Sequence, residues 1–94
     1  MAILDDCRKA LRISNTTLDS EINDLISSAR QDLMLVGITS IKANNDTDDL
    51  IKRAITIYVK ANFGYDNPDS ERLQRSYDSL KMSLALSTDY NGGV

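Results

Sequence analysis

The side chains able to do chemistry are few here, and they form no working set. The chain has no histidine and one cysteine, which removes the commonest general base and every Ser-His or Cys-His nucleophile pair. Without imidazole, a single thiol cannot complete a zinc site, so carboxylates remain, and these suit calcium or magnesium. The best spacing is Asn44-x-Asp46-x-Asp48, which copies the first half of a calcium loop. That loop needs glycine where Asp49 stands and a bidentate glutamate where Ile55 stands, so helix capping explains the acids better. Other carboxylates, such as Asp69, Glu71 and Asp78, alternate with Arg72 and Arg75 as on a solvated helix face. Gly37, Gly64, Gly92 and Gly93 are too scattered for a phosphate-cradling loop. No catalytic residue, metal ligand or cofactor is expected, and the protein is read as a non-enzyme that works by binding other macromolecules.

Eleven basic and 14 acidic residues give a net charge of -3, which creates no general attraction to phosphate backbones or anionic lipid. The candidate nucleic-acid patch is Lys52, Arg53 and Lys60, of which Arg53 and Lys60 share a face seven residues apart. Three cations beside Asp48 and Asp49 are too few to neutralise several phosphates at once. Cys7 falls on an apolar stripe and reads as core filler, as suits a protein made in a reducing cytosol. The N-terminal Ile3-Leu4 pair runs at once into Asp5-Asp6. Nothing approaches the roughly 18 apolar residues that span a bilayer, so no export or membrane segment is expected.

Binary patterning supplies the scaffold. At 94 residues, 41% hydrophobic and 27% charged, the chain is expected to fold around a single core. Helices are predicted at about 3–13, 18–36, 48–63 and 68–86, forming a compact all-α bundle. The clearest stripe is Leu18, Ile22, Leu25, Ile26, Ala29, Leu33 and Val36, with Thr17 or Asp19 as cap and Gly37 as terminator. Leu25→Asp is expected to unfold the domain by placing a charge in that stripe. The third helix, capped by Asp46 or Thr47, carries Leu50, Ile51, Ala54, Ile55 and Tyr58 plus the off-stripe Ile57 and Val59, which predicts a central position or a partly buried subunit contact. Gly64 and Asn67-Pro68 separate it from the fourth helix. Residues 38–46 read as a polar loop, and residues 87–94, without periodicity, as a flexible tail outside the 1–86 domain.

The order and spacing of Leu4, Asp5, Leu11, Arg12 and Ile13, then Asp19, Ile22, Leu25, Ile26 and Ala29, then Leu50, Lys52, Ala54 and Ile55 resemble phage head-tail connector (adaptor) proteins over about residues 3–63. Leu33-Met34-Leu35 and Asp46 stand where that pattern often has an aromatic residue and a proline. The resemblance implies a helical structural protein of the virion, made in the host cytoplasm. It would form a ring, dodecameric in the virion, under the portal protein and receive a stopper or tail-completion protein. DNA would pass through the channel without sequence-specific binding. On that footing Leu86, Tyr90 and Val94 are the expected portal contacts, Ile41, Lys42 and Asn44 the tail-side loop contacts, and Ile57, Val59 and Lys60 the subunit contacts. The competing expectation is a small helical regulator that binds one protein through a groove.

Overall fold

A computed structural model describes residues 3–64 and 67–93. Its elements are α1 (Ile3–Leu11), α2 (Asp19–Leu35), α3 (Ser40–Ala43), α4 (Asp49–Asn62), α5 (Ser70–Ala85) and α6 (Thr88–Asn91), with no strand among the described residues. The four long helices lie inside the four ranges that the apolar spacing predicts. α3 and α6 are additional single turns, too short to show a period.

α4 is the central element and packs against α1, α2 and α5. Its Ile51, Ala54, Ile55 and Val59 are fully buried and meet Ile3 and Cys7 of α1, Ile22, Ile26, Ala29 and Leu33 of α2, and Tyr77 and Leu84 of α5 in one core. A helix apolar on more than one side has to sit among neighbours, as α4 does. The off-stripe Val59 belongs to this core at 0% exposure. It is therefore a packing residue of its own chain, which corrects its expected place in a subunit contact. Leu25 is likewise only half-buried, at the edge of the core. The centre of α2 is Ile22, Ile26 and Leu33, so Leu25→Asp is no longer expected to unfold the chain.

Helix ends follow local chemistry, with the expected caps of two helices reassigned. Gly37, at φ +104°, ends α2 in a Schellman arrangement: Ile38 N–H donates to Leu33 C=O at 3.2 Å and Gly37 N–H to Met34 C=O at 3.1 Å. This turn delivers Ile38 into the core at 2% exposure. α1 ends in the same way, with Ile13 N–H on Arg8 C=O at 2.9 Å, but the left-handed position is Arg12 at φ +60°. The cap of α4 is Asp48, whose carboxylate accepts from Leu50 N–H at 3.0 Å and Ile51 N–H at 3.2 Å. Asp46, an expected cap, instead accepts from Arg30 at 2.7 Å, and the other expected cap, Thr47, donates through its backbone N–H to Asn45 at 3.0 Å. Neither Thr17 nor Asp19 caps α2, because Asp19 is bound by Arg8 at 2.8 Å and 3.1 Å.

Residues 87–93 also differ from the expected tail. α6 docks on the body through Tyr90, Thr39 N–H donates to Tyr90 C=O at 3.0 Å, and the Asn91 amide donates to Ala85 C=O at 3.0 Å. The folded body thus continues past residue 86.

Candidate interaction surfaces

The polar residues gather at the helix ends and on outer faces, because the core admits no polar or charged residue among those described. Contacts of Tyr90 with Thr39 and Asp48, and of Asn91 with Ala85, bring α3, the start of α4, the end of α5 and α6 together at one end of the bundle. Asp48 is the hub there. It caps α4 and accepts the Tyr90 hydroxyl on both oxygens, at 2.9 and 3.0 Å. Lys42 lies 5.1 Å from the centre of the Tyr90 ring and 4.0 Å from the Asp48 carboxylate. Burial would raise the Asp48 carboxyl, but the Tyr90 hydroxyl, the two backbone donors and Lys42 outweigh it and hold the group below its ordinary value. Burial, reinforced by the same carboxylate, pushes the Tyr90 hydroxyl up.

Around this clasp the surface is unusually apolar. Leu35, Ile41 and Leu86 are 83%, 81% and 79% exposed, and they sit at the end of α2, in α3 and just after α5. Large apolar side chains left in water are candidates for contact with another protein. Asn44 is exposed and donates to Ser40 C=O at 2.7 Å.

Of the expected portal contacts, Leu86 and Tyr90 belong to this end, and Val94 lies outside the described residues. Ile41, Lys42 and Asn44, expected to face the opposite partner, belong to the same end: the loop and the C-terminal turn touch through Thr39, Lys42 and Tyr90. The two sets are thus neighbours in the fold. The contact could not be found in the sequence, since it joins residues 42 to 51 positions apart through unlike, non-repeating pairs.

Two grooves mark the flanks. One, of about 510 Å³, lies along the outer face of α4 beside α1 and is lined by Ala10, Leu50, Thr56 and Ile57, with Arg53 and Lys60 on its rim. Ile57 and Lys60, expected in a subunit contact, are half-buried along this groove. Of the three cations considered for nucleic acid, Lys52 turns toward Asp6 at 3.8 Å, which leaves Arg53 and Lys60 without an ion-pair partner among the described residues. A second groove, of about 450 Å³, lies between the start of α2 and the end of α4, lined by Leu18, Glu21, Leu25 and Phe63.

The residues singled out for chemistry are held by local contacts. Asp46 and Asp48, the half calcium loop, are committed to Arg30 and to the clasp. Burial pushes the Cys7 thiol up to about 11 even though it bonds with Thr56, so at neutral pH it stays protonated and a poor nucleophile. No helix among the described residues is long and apolar enough to cross a membrane.

Comparison with known proteins fits this character. The sequence model described as phage connector protein matches residues 3–91, which takes in all six helices. Neither the curated proteins nor the solved structures gave a match. A family pattern that spans the whole folded body is an assignment of the chain and not of one motif, so this chain belongs to the phage connector protein family.

Proposed function

We propose that the protein is the head-tail connector, or adaptor, of a tailed phage: a ring, dodecameric in the virion, that sits under the portal, extends the DNA channel and joins the head to a stopper or tail-completion protein. The observation that carries this reading is the family match from α1 to α6. The apolar end formed by Leu35, Ile41 and Leu86 supports it, since a joint needs a surface that a larger protein can cover. The work asked of such a protein is adhesion and shape, and the buried thiol and committed carboxylates are consistent with a non-enzyme.

Because the loop and the C-terminal turn share one end, we assign both to a single partner, the portal. Leu86 and Ile41 would supply apolar contact, and Tyr90 with Lys42 would hold the α3 and α6 turns in place for it. Ile57 and Lys60 remain the proposed contact toward the neighbouring subunit.

Electron microscopy of the protein mixed with its portal tests the reading. A dodecameric layer on the portal is expected, and a monomer that never joins the portal would overturn it. The end assignment has its own test: Ile41→Asp combined with Leu86→Asp should leave circular dichroism unchanged and abolish portal association. Undiminished association of that folded variant would move the portal contact elsewhere.

A further inference from the structure

The two flanking grooves carry opposite charge. On α4, Leu50 and Ile57 are seven residues apart, and so are Arg53 and Lys60 beside them. Helical spacing places Arg53 and Lys60 on the side of α4 opposite to the buried Ile51 and Ile55. Neither cation has an ion-pair partner among the described residues, although Asp49 lines the same groove one turn from Arg53.

At the start of α2 the apolar interval repeats, beside charges of the opposite sign. Leu18, 40% exposed, and Leu25, half-buried, are also seven apart. Glu21 and Asp24 lie between them, exposed and without a cationic partner among the described residues. Two helices with apolar residues at the same seven-residue interval, about 10 Å along the axis, can lie along one another with both pairs in register.

We propose that copies of this chain associate through these two different faces, the α2 ridge of Leu18 and Leu25 lying along the Leu50 and Ile57 groove of the next copy, with Glu21 and Asp24 against Arg53 and Lys60. The occupant is a second copy because the opposite charges and the matching apolar interval are both present on this chain. An interface made from unlike faces leaves one of each free at every addition, and it closes only as a ring. The proposal names the neighbour contact that the connector reading needs and rests on that reading for ring closure alone.

Charge reversal on each face tests it. Arg53→Glu with Lys60→Glu makes one variant, and Glu21→Lys with Asp24→Lys the other. All four positions are on the surface, and circular dichroism checks that both variants fold. Self-association is followed by nuclear magnetic resonance from micromolar to millimolar protein. For the wild type, concentration-dependent shifts are expected on both faces. Each variant alone should associate at least about tenfold more weakly, and an equimolar mixture of the two should return to within about threefold of the wild type, because each then meets its opposite sign.

Wild-type shifts that are absent, or that map elsewhere, overturn the proposal, as does a mixture that fails to recover. The connector reading fails separately. A portal-bound layer that forms equally well with either variant sinks the interface and leaves the connector standing. Wild-type self-association through these faces without any portal layer does the reverse.

Discussion

Tyr77 and Tyr90 make nearly the same contacts at two places on the molecule, and they do different work. Each hydroxyl donates to an aspartate, Tyr77 to Asp32 at 2.6 Å and Tyr90 to Asp48 at 2.9 Å. Each ring has a lysine 5.1 Å from its centre, Lys81 in one case and Lys42 in the other. The difference is burial. Tyr77 is at 0% exposure in the core, stacked edge-on against Tyr58 at 5.1 Å, whereas Tyr90 is half-buried on α6 where that turn meets α3. Around Tyr77 the polar contacts finish an apolar seam that would hold without them. Around Tyr90 they are much of what holds α3 to α6. A polar triad takes its weight from the packing around it.

The comparison breaks first on truncation of the rings. Tyr77→Ala should cost about 3–5 kcal/mol, since it empties a core site that neighbours cannot refill. Chemical denaturation measures it, and a Tyr90→Ala variant destabilised equally would show that the clasp is core after all. Next in size is Asp48→Ala, expected to cost about 1–2 kcal/mol by removing the α4 cap and orphaning the Tyr90 hydroxyl. Hydrogen exchange should show the loss concentrated in the first turn of α4 and in α6.

Acid sharpens the contrast. Asp48 is held below its ordinary value in the folded state, and so is Asp19 by its bond to Arg8. The stability these groups supply is complete above their unfolded value of roughly 4 and is lost as pH falls through the folded values. Tyr77 and Tyr90 are displaced upward, chiefly by burial, so their share is lost as pH rises above roughly 10. Asp48→Ala should therefore flatten the acid limb of a stability profile relative to the wild type. The smallest effect is expected from Tyr90→Phe, about 0.5–1.5 kcal/mol, because Asp48 keeps its backbone donors and Lys42. A loss several times larger, seen in thermal unfolding, would make the hydroxyl more than a local fastener.

Much of the scaffold was legible in the sequence. Leu33, Ile22 and Ile26 on α2 and Ile51, Ala54 and Ile55 on α4 repeat at helical intervals, and a repeat states which side of a helix must leave water. Gly37 was legible for a similar local reason, since a left-handed residue after an apolar stripe has few other uses. The exposure of the candidate surfaces was legible only in part: Leu86 and Ile41 are exposed and Ile57 and Lys60 half-buried, but Val59 is buried. An off-stripe apolar residue looks alike whether it meets a neighbouring helix or a neighbouring subunit, and α4 has helices on several sides.

The sequence by itself determined an all-α body of four long helices, the absence of histidine chemistry and most of the core, because periodicity and composition act along the chain. Tertiary structure decided the rest. It gave Asp46 to Arg30 and Asp48 to the cap and to Tyr90, turned Val59 inward, and brought the residue 39–47 loop onto the C-terminal turn. Those contacts are single pairs between distant residues, formed only after the long helices have packed, and no repeat along the chain encodes them.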